Sequence, residues 1–192
     1  PIWMGAHSRA GARRAGRVGD CFTIPPEYDI HEMRIRLGIM AVGFKERGKT
    51  MGHQPLRRNT FVGPTTDEAI AQFINVSRDR YLAYSQKELD RYDEQELMRN
   101  FYETVKDSVA VGTAQEVIDH FTNIASELPV DPIVIRPEWP GMSIDEVEEN
   151  IEIMGREVIP ALADVPPMPI DDIPSSLLSV ADEVAREIEL LG

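Results

Sequence analysis

The sequence contains a single cysteine, Cys21, so it forms no internal disulfide and holds no cysteine-built metal cluster. No apolar run approaches the ~18 residues that a membrane-crossing helix needs. The N-terminus lacks the charged stretch and apolar core of a secretory signal. These absences lead us to expect a protein of the reducing cytoplasm, without a membrane partner. Basic residues are also scarce: 20 Lys and Arg stand against 33 Asp and Glu, and the formal net charge of −13 would repel the phosphates of a nucleic acid. Internal repeats and low-complexity blocks are missing too. What remains, 42% hydrophobic and 28% charged residues over 192 positions, fits one ordinary globular domain or a large piece of something bigger.

The charge is unevenly spread. Residues 1–58 hold 11 Lys and Arg against 5 Asp and Glu, whereas residues 59–192 hold 9 against 28. Arg9, Arg13, Arg14 and Arg17 all precede the first acidic residue, Asp20. Such a run is either the solvated basic face of a helix or a local anion site on an acidic protein.

Along the chain, short apolar runs alternate with helix signals. Ile2-Trp3-Met4 reads as a strand end leading through Gly5-Ala6-His7-Ser8 into an Ala/Arg-rich helix near 9–17, closed by Gly19. Cys21–Ile24 reads as a second strand, stopped by Pro25-Pro26. A helix over 30–47 follows, with Met33, Leu37, Met40, Val42 and Phe44 facing a core. Asn59–Val62 reads as the third strand and Pro132–Ile135 as the fourth, continuous and β-branched as buried parallel strands are. Three pairs mark helix starts by placing a hydroxyl three residues before a carboxylate: Thr65 with Glu68, Thr113 with Glu116, Ser143 with Glu146. Residues 75–108 are polar and helical in composition, an excursion or lid rather than a core element. The pattern implies an α/β protein with a parallel sheet and four βα units over 1–165. Residues 166–192 then form a Pro-rich linker and an acidic amphipathic tail helix, which could dock on a partner.

In such a protein, ligands meet the loops at the C-terminal ends of strands. The first of these is the most informative. Ser8 is a natural N-cap, and the free amides of Arg9, Ala10 and Gly11 would sit at the positive end of the helix dipole, beside His7. That chemistry suits a phosphate, although a serine cap without a ligand is equally consistent with the residues. Neither a Walker loop nor a G-x-G-x-x-G fingerprint is present. In the last loop, Arg136 could pair with an anion and Trp139 could cover a planar ring, or Trp139 could simply pack at the rim. His31, His53 and His120 have no metal-ligand spacing, and His120 reads as a surface or half-buried structural residue. Cys21, in mid-strand, reads as packing.

Several segments together resemble one family, the luciferase-like monooxygenases. Pro1–Ser8 followed by Ala12–Asp20 is similar to its Pro-Ile-Trp-Ile-Gly-Gly strand, Ala/Arg helix and Gly-Asp-Gly turn. Arg58–Ala69 resembles its next strand, and Val111–Ile118 its Val-Gly-Thr-Pro-Glu-Glu-Val-Ile. The segment from Ile135 through Trp139–Met142, closing with Arg156–Leu162, resembles its terminal strand and helix. The resemblance implies a (βα)8 TIM-barrel fold, of which this chain carries about the last four units. It implies a flavin-dependent oxidoreductase or monooxygenase that binds FMN or a deazaflavin coenzyme and acts on a small organic molecule. It places the cofactor phosphate at Ser8, Arg9 and Gly11, with His7 next to them. The departure is Ala6-His7, where many relatives keep Gly-Gly or Gly-Ser. A complete barrel has eight units and ~250 residues. Either an N-terminal half-barrel chain completes this one, or a second copy pairs with it, or it is a remnant of a longer chain. By this reading the catalytic residues lie outside these 192 positions, and the other use of the chain is a non-catalytic half-barrel subunit.

Overall fold

The computed structural model describes residues 1–86, 92–170 and 175–192, so parts of the polar segment and of the Pro-rich linker lie outside the described residues. Strand β1 (Trp3–Gly5) pairs in parallel with β2 (Cys21–Thr23), Trp3 opposite Cys21, and helix α1 (Arg9–Val18) connects them. Helix α2 (Ile30–Glu46) leads to β3 (Gln54–Val62), the middle of a sheet ordered β4-β3-β5 with β4 (Val109–Gly112) and β5 (Val130–Arg136). β3 and β4 are parallel, Asn59 opposite Val109, and one parallel bridge joins Ile24 to Leu56. Between β3 and β4 the chain forms α3 (Thr66–Ser85) and α4 (Glu94–Val105), and between β4 and β5 it forms α5 (Ala114–Glu127). After β5 come α6 (Ile144–Ile153), a π-helical stretch Met154–Val158, α7 (Ile159–Ala163), a 3-10 turn Ser175–Val180 and α8 (Ala181–Leu190). The parallel βα arrangement read from the sequence is the one observed.

Three features differ from the expectation. β3 starts at Gln54 rather than Asn59, and Arg58 is buried within it, Nη1 donating to the Ser108 carbonyl at 3.1 Å. β4 is a short strand that three apolar residues before Gly112 did not announce. β5 is not a buried strand: it ends the order β4-β3-β5, and Val134 is 40% exposed.

The chain divides into two compact units. The first comprises Pro1–Arg57, Asn123–Val134 and Pro166–Gly192. Its spine is α2, which is buried almost all round, from Met33 to Phe44. Only small residues let α1 lie against it. Ala12, Ala15 and Gly16 face α2, and a Cβ at Gly16 would stand 2.2 Å from the Met40 carbonyl, while one at Gly43 would stand 2.6 Å from that of Arg13. The tail belongs to this unit. Leu177, Val180 and Val184 are buried, each such burial contributing about 1.5–3 kcal/mol, and Val184 fits the notch at Gly38, where a Cβ would come within 2.7 Å of it. The acidic helix thus docks on its own chain.

The second unit comprises Arg58–Thr122 and Ile135–Val165. Its core contains Phe61, Phe73, Tyr81, Leu97, Phe101, Val105 and Trp139. Phe73 stacks on Phe101 at 5.9 Å and meets Trp139 edge-on at 5.1 Å. Several of these residues come from the polar segment 75–108, whose inner face is therefore core. Its average polarity reports the outer face alone, and α3 or α4 could swing out as a lid only by exposing this aromatic cluster.

Two outcomes follow. Gly16→Leu should lower unfolding free energy by roughly 3 kcal/mol, since α1 and α2 must separate to admit it. Gly155→Ala, where a Cβ meets nothing within 4 Å, should leave the urea midpoint unchanged or slightly raised. A separate outcome concerns His120, which burial, helped by the nearby Arg58 charge, pushes down to about 3 from 6.5. Between those values the unfolded chain binds the extra proton, so stability should fall as pH drops from 6.5 towards 3. His120→Gln should reduce the difference between urea midpoints measured at neutral pH and at about pH 5.

Candidate functional site

The β1–α1 loop is fixed from below by residues of the next βα unit. The His7 carbonyl accepts from the Tyr28 hydroxyl at 2.9 Å and from Arg36 Nη1 at 2.5 Å. Arg36 is 7% exposed, lies over the Tyr28 ring at 4.3 Å, and donates through Nε to Glu32 at 2.7 Å. Glu32 also takes Arg9 Nη2 at 2.8 Å. Burial pushes the Glu32 carboxyl up, but the hydrogen bonds from Arg9 and Arg36 outweigh it and hold the group below the usual carboxylate range. One charged, half-buried network therefore sets the loop's backbone.

Above this platform Ser8 caps α1, its Oγ accepting from the Gly11 amide at 3.0 Å. The hydroxyl proton is left to donate outward. The amides of Arg9 and Ala10 carry no hydrogen bond among the described residues. A Cβ at Gly5 would meet nothing within 4 Å, whereas one at Gly11 would stand 2.3 Å from Ala6 Cβ. Gly11 is thus required by the loop folding onto its own helix, and Gly5 leaves open space. His7 is exposed, with Nδ1 3.7 Å from Glu27.

Of the three amides expected to be free, that of Gly11 is taken by Ser8 Oγ, and the Arg9 side chain is committed elsewhere. Its guanidinium turns away from the loop to Glu32 and to Glu187 of α8, 2.5 Å from Nη1, so only its backbone amide faces the loop's open side. Tyr28, Arg36 and Glu32 were missed as loop-fixing residues. The signal that could have found them is the adjacency of consecutive parallel βα loops, which brings residues 25–36 beside the first loop.

Arg136 and Trp139 do come together, the guanidinium 5.5 Å from the indole. Trp139 is 1% exposed, however, with Nε1 on the Thr60 carbonyl at 3.3 Å and Phe73 and Tyr81 against it. It is a core residue with no open face to cover a ring in this conformation. The other strand ends of this unit carry a clamp: Glu116 accepts from the Thr113 amide at 2.8 Å and from the Thr66 hydroxyl. The Thr113 amide, then the Thr66 hydroxyl, hold the Glu116 carboxyl below its ordinary range. Helices α3, α5 and α6 thus begin under their own carboxylates, Glu68, Glu116 and Glu146. Burial, then the neighbouring Asp20 charge, pushes the Cys21 thiol up.

Arg36→Met should remove about 2 kcal/mol and speed amide exchange at Ser8–Gly11 more than elsewhere in α1. The network should also weaken in acid. Glu32 contributes fully above its unfolded value of 4.5, and that contribution is lost as pH falls through the lower folded value. Exchange rates on a pH series check both.

A family model described as luciferase-like monooxygenase matches residues 1–131. No curated protein sequence matches the chain. Among solved structures, monooxygenase RslO1 from Streptomyces bottropensis is similar at 17% identity and a TM-score of 0.64, covering 83% of this chain and 47% of its own. A riboflavin lyase solved with modified FMN and riboflavin gives 14%, 0.60, 95% and 47%. An F420-dependent secondary alcohol dehydrogenase holding an F420-acetone adduct gives 20%, 0.61, 85% and 49%. The chain spans about half the length of the structures it matches.

Proposed function

Because the chain belongs to the luciferase-like monooxygenase family, we propose that it is the cofactor-phosphate-binding half of a flavin-dependent oxidoreductase of that type. The cofactor is FMN or a deazaflavin coenzyme, and the substrate is a small organic molecule. One observation supports this reading above the others. Of the described helices with ten or more residues, α1 alone has no acidic residue in its first turn. Its N-terminus is open to an anion where the others are already neutralised.

The residues present fit a phosphate. The Ser8 hydroxyl and the amides of Arg9 and Ala10 would hold it, Gly5 would leave room for it, and exposed His7 would lie beside it. The Arg9 guanidinium would not take part, being held by Glu32 and Glu187. A bound flavin would supply hydride- or oxygen-transfer chemistry, while this chain would bind, orient and shield it from water.

The rest of the pocket has to come from elsewhere. Trp3 of β1 is 47% exposed and Ile2 just before it 63%, apolar surface that a closed barrel covers with its preceding strand. An N-terminal half-barrel chain or a second copy would cover it. The same exposure favours a second reading, in which the chain is a non-catalytic half-barrel subunit.

Fluorescence titration of the full chain tests the choice. FMN should bind at least tenfold more tightly than riboflavin, which lacks the phosphate, and Ser8→Glu should abolish the difference. Equal binding of the two would remove the phosphate site. Failure of FMN and of a deazaflavin to bind would leave the non-catalytic subunit.

A further inference from the structure

The outer face of α1 carries arginines that the loop does not use. Ala10, Arg13, Arg14, Arg17 and Val18 fall on one helical stripe and, with Leu191, enclose a cleft of about 220 Å³. Glu46 accepts from Arg13 Nη2 at 2.9 Å and from Arg17 Nε at 2.5 Å. Arg14 has no hydrogen bond or ion pair among the described residues. Arg13 Nε is buried and has no acceptor. Two of the three guanidinium groups therefore share one carboxylate and the third has none, on a chain whose formal net charge is −13.

We propose that this cleft binds a small organic phosphate monoester, a ligand separate from the cofactor held at the loop. A dianion matches the two positive charges that Glu46 does not neutralise. Planar guanidinium forks suit phosphate oxygens, and an acceptor reaching Arg13 Nε would recover a hydrogen bond the buried N–H now lacks. Ala10, Val18 and Leu191 give the ester's organic part an apolar wall. A cavity of about 150 Å³ takes a benzene ring. The cleft thus has room for a phosphate and a ring-sized body, and not for a flavin nucleotide.

Phenyl phosphate, titrated calorimetrically into the full chain, is the probe. It should bind one per chain and more tightly than inorganic phosphate. Arg14→Gln should weaken it at least tenfold with an unchanged melting curve, as befits an exposed, unpaired side chain. Arg17→Gln should do the same and serves if the first variant fails to fold. Ser8→Glu should leave the affinity within about twofold. No binding, no preference over inorganic phosphate, or persistence in the folded arginine variants would overturn the proposal. Loss in Ser8→Glu would move the ligand to the loop and overturn the cleft, while leaving the cofactor reading intact.

Discussion

The crossing of α1 over α2 at backbone contact is the constraint on which the first unit depends. With no side chain at Gly16 and Gly43, carbonyl and Cα atoms of the two helices approach as closely as van der Waals radii permit. This distance cannot relax gradually. It sets where α1 begins, and hence where the loop before it must close. The Cβ of Ala6 then settles against the bare Cα of Gly11, so the loop is seated on the helix it introduces. On the opposite side of α2, Gly38 repeats the device for Val184 of the tail. A single helix, almost wholly buried, is thus packed through glycine on two faces.

Position alone does not make an anion site; the amides must also be free. Here the network beneath the loop matters. Arg36 and Tyr28 satisfy the His7 carbonyl, which would otherwise be a buried acceptor competing for donors near the helix start. Glu32 gathers Arg9 and Arg36, and Asp29 caps α2 through the Glu32 amide at 2.8 Å. The His7 carbonyl, Glu32 and Asp29 are thereby engaged below the loop, towards α2. What faces outward is a hydroxyl and two unpaired N–H groups, a rigid donor set at the positive end of a helix.

The sequence allowed the parallel βα order, the bounds of α1 and α2 and the serine cap to be read because each rests on local chemistry: alternation of apolar runs, a hydroxyl before a helix, glycine after one. It hid what depends on neighbours distant in the chain. The start of β3 at Gln54 is hidden because nothing local announces the Ser108 carbonyl that accepts from Arg58. Trp139 leaves ring cover and rim packing both open in the sequence because Phe73, Tyr81 and Thr60 come from other segments. The segment 75–108 reads as polar because a window average mixes an inner aromatic face with an outer charged one. Arg9 shows the same limit in the site itself. Nothing local announces where its guanidinium goes, since the partner Glu187 lies 178 residues away.

Charge counted along a sequence window is not charge in space. The basic surplus of residues 1–58 is partly offset in the fold by carboxylates brought from elsewhere, Glu127 on Arg34 and Glu183 and Glu187 near Arg9. Arg47 is spent differently, on the Gly19 carbonyl and over the Phe44 ring. Imported carboxylates quench the cations near the N-terminal end of α1, so its amides remain the local attraction for an anion there. Farther along the same helix the supply runs short, with Glu46 divided between two guanidinium groups and Arg14 left alone. One short helix therefore presents two electrostatic characters, a neutral hydrogen-bonding start and a cationic flank. Anions of different size and charge would sort between them, since dipole and amide recognition favours a terminal phosphate whereas a surplus of whole charges favours a free dianion.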